Sequence, residues 1–184
     1  MPEEAALEGG QPVWIEMLDD LDHRGSIEAF SQCLRKRPQW PEAQMNLGLA
    51  YWKMGDREMA RECFEKVLQA MPESADALRG LAAIAVDQED YQEALDLQAR
   101  LIELGERTPE LFYNTGLLLQ RVGQVEDAVR LYKEALNVKQ DFAEALLNLG
   151  HAHKSLGQDE EARACWHQAL EAKPDLAQGY FDRA

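Results

Sequence analysis

The chain has 184 residues, a formal net charge of −15 and a pI near 4.6. This acidity argues against general nucleic-acid binding, because phosphate backbones are bound by clusters of Lys and Arg. No apolar run approaches the roughly 20 residues that a membrane-spanning helix needs. Cys33, Cys63 and Cys165 are too widely spaced to form a C-x-x-C pair, so we interpret them as small apolar core residues.

The chain begins with an acidic segment, MPEEAALEGGQ. This segment lacks both the positive and the apolar stretch of a signal peptide. We therefore predict a flexible tail over residues 1–10 and a cytoplasmic protein. The sequence leaves open whether the chain is an excerpt of a longer one.

A regular pattern starts at Pro41. Apolar residues recur there at three- and four-residue spacing, as in amphipathic helices. Gly55 suits the left-handed residue that ends a first helix, and Pro72 cannot continue a second one. Asp56 stands where a carboxylate can cap the second helix. We therefore predict two helices joined by a short turn.

The pattern recurs every thirty-four residues, counting Pro41 as position one. Position eight is always small, position twenty is always alanine, and position twenty-four is aromatic in three of four cases. These residues are Gly48, Ala82, Gly116 and Gly150; Ala60, Ala94, Ala128 and Ala162; and Phe64, Gln98, Tyr132 and Trp166. Small side chains let two helices approach closely, while large ones fill the space beside them. Turn glycines at Gly123 and Gly157 and capping aspartates at Asp90 and Asp159 are also predicted.

This arrangement resembles the tetratricopeptide (TPR) repeat, and the resemblance extends from Pro41 to Leu176. It implies an all-α fold, a right-handed α-solenoid of helix-turn-helix repeats that stack because one hairpin cannot bury its own apolar face. The predicted repeats are 41–74, 75–108, 109–142 and 143–176. A degenerate N-terminal repeat is predicted over residues 11–40, with Trp14 where glycine belongs, and residues 177–184 begin a further repeat or a capping helix.

The third repeat is the least regular. Glu89 replaces the turn glycine, Gln98 replaces the aromatic residue, and the second helix ends at Gly105. Because this repeat has fewer aromatic contacts, we predict that it is less stable locally than its neighbours. Amide exchange should therefore be faster in residues 91–104 than in residues 125–138.

The TPR resemblance implies a protein-recognition scaffold, with no catalytic activity, cofactor or metal, that binds a protein or extended peptide on its concave surface. First helices line that surface. The implied peptide-binding residues are Asn46, Leu49, Trp52, Lys53, Arg79, Tyr113, Asn114, Leu117, Arg121, Asn148, His151 and Lys154.

Three asparagines share position six: Asn46, Asn114 and Asn148. Carboxamides both donate to and accept from a peptide backbone. The row is similar to the asparagine ladder of the O-linked GlcNAc transferase repeats, although Gly80 interrupts it. The alternative is that these side chains bond only to their own neighbours.

Four bases at first-helix positions reverse the overall acidity locally and favour an acidic segment or a C-terminal carboxylate. They are Lys53, Arg79, Arg121 and Lys154. A solvated charge pattern is the alternative. The carboxylate clamp of chaperone-binding TPR proteins is not predicted, because Met45 and Leu49 stand where Lys and Asn would be needed.

Two apparent metal motifs are rejected. His151 and His153 face nearly opposite sides of one helix, and His153 occupies a position predicted to be buried. The segment Asp20–Gly25 begins like a calcium loop, but Arg24 replaces an oxygen ligand.

Two other functions stay open at this point. One is a self-associating structural scaffold that assembles through its repeat ends. The other is a TPR regulatory region of a larger enzyme.

Overall fold

A computed structural model describes residues 23–175 of the chain. The predictions for the tail at 1–10, for the first part of the N-terminal repeat and for residues 177–184 lie outside the described residues. Within residues 23–175 the regular secondary structure is entirely helical, and the predicted all-α class is confirmed.

Helices follow one another through the described range, joined by short turns. They are α1 (His23–Lys36), α2 (Pro41–Lys53), α3 (Arg57–Ala70), α4 (Ala75–Asp87), α5 (Tyr91–Glu103), α6 (Pro109–Arg121), α7 (Val125–Val138), α8 (Ala143–Ser155) and α9 (Asp159–Ala172). Four of them, α2, α4, α6 and α8, begin thirty-four residues apart. The period read from the sequence therefore marks the helix starts.

The chain divides into two compact units, Met1–Ile84 and Ala85–Ala184. In the first unit α2 packs against α1 and α3. In the second unit α6 packs against α5 and α7, α8 packs against α7 and α9, and α6 also contacts α8. Within each unit the contacts thus join helices that are near each other in the sequence.

The turns inside the hairpins have left-handed backbone, as predicted. Gly55, Gly123 and Gly157 have φ angles of 83°, 83° and 75°. Glu89 takes the same conformation in the third repeat, with φ 60°, although it carries a Cβ. This backbone costs a residue other than glycine roughly 1–2 kcal/mol, so Glu89 holds a conformation that its side chain opposes.

Two of the three predicted aspartate caps are confirmed. Asp56 Oδ1 accepts the Met59 amide at 3.2 Å, and Asp90 Oδ1 accepts the Glu93 amide at 3.0 Å. The third prediction is wrong, because Asp159 lies one repeat position further on and is already the first residue of α9. Its carboxylate accepts from Lys154 Nζ at 2.7 Å instead.

Aromatic residues at position twenty-four lie against the glycine at position eight of the same repeat. A Cβ added at Gly48 would lie 2.6 Å from Phe64 Cε1, and one added at Gly116 would lie 2.6 Å from Tyr132 Cε1. Both rings are almost completely buried, and Ala60, one turn before Phe64 on α3, is inaccessible to solvent. The predicted role of the small residues in close helix packing is therefore confirmed.

The cysteines lie in α1, α3 and α9 and are free thiols. Cys63 packs among Phe30, Ala43 and Leu47, and burial is the main cause of its raised thiol pKa. The predicted core role is thus confirmed for Cys63, while Cys33 and Cys165 are partly buried.

Candidate functional site

In the second unit, two predicted residues from different helices meet. Asn148 Nδ2 of α8 donates to the Tyr113 hydroxyl of α6 at 3.2 Å and to the Glu144 carbonyl oxygen at 2.9 Å. Both side chains are partly buried. Tyr113 and Asn148 therefore form a polar contact between α6 and α8.

Aromatic neighbours hold the Tyr113 ring. Its centroid lies 5.1 Å from that of Phe142 and 6.1 Å from that of Tyr132, both in tilted arrangements. Partial burial is the main cause that raises the Tyr113 pKa, followed by the nearby Glu144 carboxylate. The phenol is therefore protonated at neutral pH.

Leu117 lies one turn after Tyr113 on α6 and packs against the same buried cluster, which includes Tyr132 and Leu149. The Tyr132 hydroxyl donates to Gln120 Oε1 at 2.9 Å. Gln120 is absent from the predicted set, although it shares repeat position twelve with Trp52 and Lys154. That shared position is the signal that could have found it.

The other two position-six asparagines differ from Asn148. Asn46 Nδ2 donates to the Glu42 carbonyl oxygen at 3.0 Å, a bond within α2. Asn114 is exposed on α6. Asn46 and Asn148 therefore do form hydrogen bonds within their own helices, as the alternative interpretation of the asparagine row states. These bonds use the amide nitrogens and leave the Oδ1 atoms as acceptors.

The predicted basic residues have partners within the chain. Arg79 Nη1 lies 2.6 Å from Asp76 Oδ1, and Lys154 Nζ lies 2.7 Å from Asp159 Oδ1. These exposed ion pairs reduce the local positive charge. Lys53 is exposed at the end of α2.

Arg121 pairs with an aromatic side chain that the sequence analysis missed. Its Nη1 donates to the Tyr91 hydroxyl at 3.0 Å, and its guanidinium carbon lies 5.6 Å from the Tyr91 ring centroid. No signal at the Tyr91 position of a single sequence indicates this contact. Arg121 is nevertheless exposed.

In the first unit, Trp52 and Leu49 of α2 are partly buried. The guanidinium carbon of Arg57 lies 5.5 Å from the Trp52 ring centroid. Trp52 therefore offers one partly exposed aromatic surface, next to the exposed Lys53.

The two histidines of α8 have different environments. His151 is exposed and its ring lies 5.5 Å from that of Trp166, where partial desolvation lowers the His151 pKa and favours the neutral imidazole. His153 is buried, as predicted, with Nδ1 in contact with Gln158 Oε1. Residues 23–175 contain no group of three or more His, Cys, Asp or Glu side chains placed to hold a metal ion.

Across the part of the chain that the structure describes, no helix combines the length and apolar character required to cross a membrane.

Comparisons with known proteins agree with the helical repeat architecture. Models described as tetratricopeptide repeat match residues 46–109 and 143–176, and one described as TPR repeat matches residues 121–157. A crystal structure of MamA superposes with a TM-score of 0.82 at 25% identity, over 91% of this chain and 98% of that one. MamA 41-end from Desulfovibrio magneticus RS-1 gives 0.79 at 18% identity, over 89% and 92%, which shows the fold alone. The fold is an all-α helical repeat solenoid.

Curated relatives share part of this chain. TPR repeat-containing protein MJ1428 of Methanocaldococcus jannaschii is 28% identical in an alignment of 127 residues that covers 64% of this chain and 22% of that protein. Superkiller protein 3 of Saccharomyces cerevisiae is 29% identical in an alignment of 135 residues that covers 66% of this chain and 9% of that protein. The chain thus spans less than a quarter of either relative. From the repeat pattern, the hairpin packing and these matches, the chain belongs to the tetratricopeptide repeat family.

Proposed function

We propose that the chain is a non-catalytic protein-interaction module that binds an extended peptide segment of a protein partner. The binding elements are the first helices of the predicted repeats 41–74, 75–108, 109–142 and 143–176. Family membership supports an interaction or scaffold role, since stacked repeats present extended binding surfaces.

The main support for the proposal is the hydrogen bonding and exposure of the carboxamides at repeat position six. Asn46 and Asn148 are held by bonds to carbonyl oxygens of their own helices, while their Oδ1 atoms stay available. Asn114 is exposed. Side chains held in this way lose little conformational freedom when they hydrogen-bond to an extended backbone.

Apolar area on the first helices, which also carry the carboxamides, supports the same function. Leu117 and Trp52 are partly exposed, and aromatic side chains commonly anchor protein interfaces. Most of the candidate polar residues are carboxamides and bases that hydrogen-bond or form ion pairs within the chain, which suits binding rather than catalysis.

The preference for an acidic or C-terminal peptide stays a prediction. Arg121 supports it, whereas the ion pairs of Arg79 and Lys154 weaken it. If charge contributes strongly, affinity should fall steeply between low and high salt, because exposed charges are screened. The cytoplasmic location also stays a prediction.

A binding experiment tests the function. Peptides are selected on the full chain from a phage-displayed random library, and their affinities are measured by isothermal titration calorimetry. We expect the double variant Asn114→Ala/Asn148→Ala to weaken binding about tenfold or more, because each lost hydrogen bond contributes roughly 0.5–1.5 kcal/mol.

Asn137→Ala is the matched control, because Asn137 is an exposed asparagine on α7, a second helix. This control should leave both affinity and circular dichroism unchanged. Failure to select any peptide, or equal affinities for the double variant and wild type, would reject the proposed function. Light scattering of the free chain across concentration tests the alternative of self-association.

A further inference from the structure

We propose that Tyr113 positions the Asn148 carboxamide so that it accepts a hydrogen bond from a bound peptide and cannot donate one. The partner must then present a backbone N–H at this point, which excludes proline there. This inference rests on the proposed peptide-binding function and specifies the chemistry of one contact within it.

Both donors of Asn148 are already used. A carboxamide nitrogen carries two hydrogens. One is directed to the Glu144 carbonyl oxygen at 2.9 Å and the other to the Tyr113 hydroxyl oxygen at 3.2 Å. The remaining polar atom is Oδ1, which can only accept.

Tyr113 is suited to hold this orientation because it is itself fixed. Its ring packs against Phe142 and Tyr132 and lies on α6, whereas Asn148 lies on α8. The contact therefore ties the carboxamide to a second helix as well as to its own. A side chain with two fixed donors loses less rotational freedom on binding than a free one.

The other asparagines of the row do not share this restriction. Asn46 has one donor bonded to the Glu42 carbonyl oxygen, so it retains a second N–H as well as its Oδ1. Asn114 is exposed and unrestrained by such a pair of bonds. Asn148 therefore differs from Asn46 and Asn114 because it can only accept a hydrogen bond from a bound peptide.

Nuclear magnetic resonance of the free full-length chain tests the positioning without any peptide. Tyr113→Phe keeps the ring and removes only the hydroxyl. We expect the two Asn148 side-chain amide protons of this variant to exchange faster with water and to shift toward free-asparagine values. Tyr51→Phe, which removes a hydroxyl in the first unit, is the control and should leave these signals in place. Unchanged Asn148 signals in Tyr113→Phe would overturn the inference.

A second experiment tests the directional contact with a peptide selected on the wild-type chain. Each backbone nitrogen of the peptide is methylated in turn, which removes one N–H at a time. One position should lose about tenfold affinity for wild type and no further affinity for Asn148→Ala. Tyr113→Phe should lower the affinity for the unmodified peptide in the wild-type background. It should have no further effect on affinity in the Asn148→Ala background, because the two residues act through one contact.

The possible failures are distinguishable. If the wild-type chain selects no peptide, the proposed function fails, while the amide signals still report on the positioning. If a peptide binds through the asparagines but methylation affects wild type and Asn148→Ala equally, the acceptor role is wrong. Additive effects of Tyr113→Phe and Asn148→Ala would show that Tyr113 does not act through Asn148.

Discussion

The ring of Phe64 lies so close to Gly80 that a Cβ at position 80 would be 2.6 Å from Phe64 Cε2. The opposite edge of the ring lies against Gly48, and the whole side chain is 1% exposed. Gly80 stands at repeat position six, where the other repeats carry asparagine. The asparagine row is therefore interrupted because the Phe64 ring occupies the space that a side chain would need.

Restoring the asparagine should destabilise the fold. We expect Gly80→Asn to lower the free energy of unfolding by roughly 1–3 kcal/mol, because overpacking outweighs the better helix propensity of asparagine. Urea unfolding followed by circular dichroism measures the change. The same substitution in a Phe64→Leu background should cost less, since the ring is gone. Equal costs in the two backgrounds would show that the ring does not exclude the side chain.

The repeat period predicted most of the fold because it reports on backbone-level requirements. Helix starts, the left-handed turn at Gly55 and the burial of Ala60 each follow from constraints that act within one repeat. The prediction for Asp159 failed because this residue lies one repeat position after the capping position and is therefore the first residue of α9.

Contacts between repeats could not be predicted in the same way. The bond from Asn148 to Tyr113 joins residues thirty-five positions apart, and the bond from Arg121 to Tyr91 joins residues thirty apart. Each of these hydrogen bonds depends on the side-chain rotamers that remain possible once two helices have packed together. Composition at one repeat position therefore identified Asn148 as a candidate without revealing that its donors are already used.

Replacing the strained turn residue should stabilise the chain. Glu89 has φ 60°, in the left-handed region that glycine adopts without a Cβ clash. We expect Glu89→Gly to raise the free energy of unfolding by about 0.5–1 kcal/mol, after the greater unfolded-state entropy of glycine is subtracted. The reciprocal change Gly123→Glu, at a turn with φ 83°, should lower it by a similar amount. A loss of stability in Glu89→Gly would mean that the side chain makes contacts that outweigh the strain.

A buried polar atom supports the predicted softness of the third repeat. Gln98 is 8% exposed, and its Oε1 has no hydrogen-bond partner among the described residues. We expect Gln98→Met, which keeps the shape and removes the polar group, to stabilise the chain by about 1 kcal/mol. Hydrogen exchange should slow in residues 91–104 and stay unchanged in residues 125–138.

Gln120→Met is the matched control for Gln98→Met. Gln120 Oε1 accepts the Tyr132 hydroxyl at 2.9 Å, so its removal leaves a buried donor unpaired. This variant should lose about 1–3 kcal/mol of stability. Equal effects of the two substitutions would contradict the assignment of Gln98 as an unsatisfied group.

Alkaline pH should destabilise the chain through Tyr132. Its side chain is inaccessible to solvent, and burial holds its pKa well above the ordinary tyrosine value of 10. Because the unfolded chain loses this proton near pH 10 while the folded chain keeps it, the stabilisation is complete below pH 10 and declines as pH rises further. Unfolding in urea from pH 8 to pH 11 should show the stability of wild type approaching that of Tyr132→Phe by up to about 1.4 kcal/mol per pH unit above pH 10. Parallel curves for the two proteins across this range would show that Tyr132 ionises as readily in the folded chain as in the unfolded one.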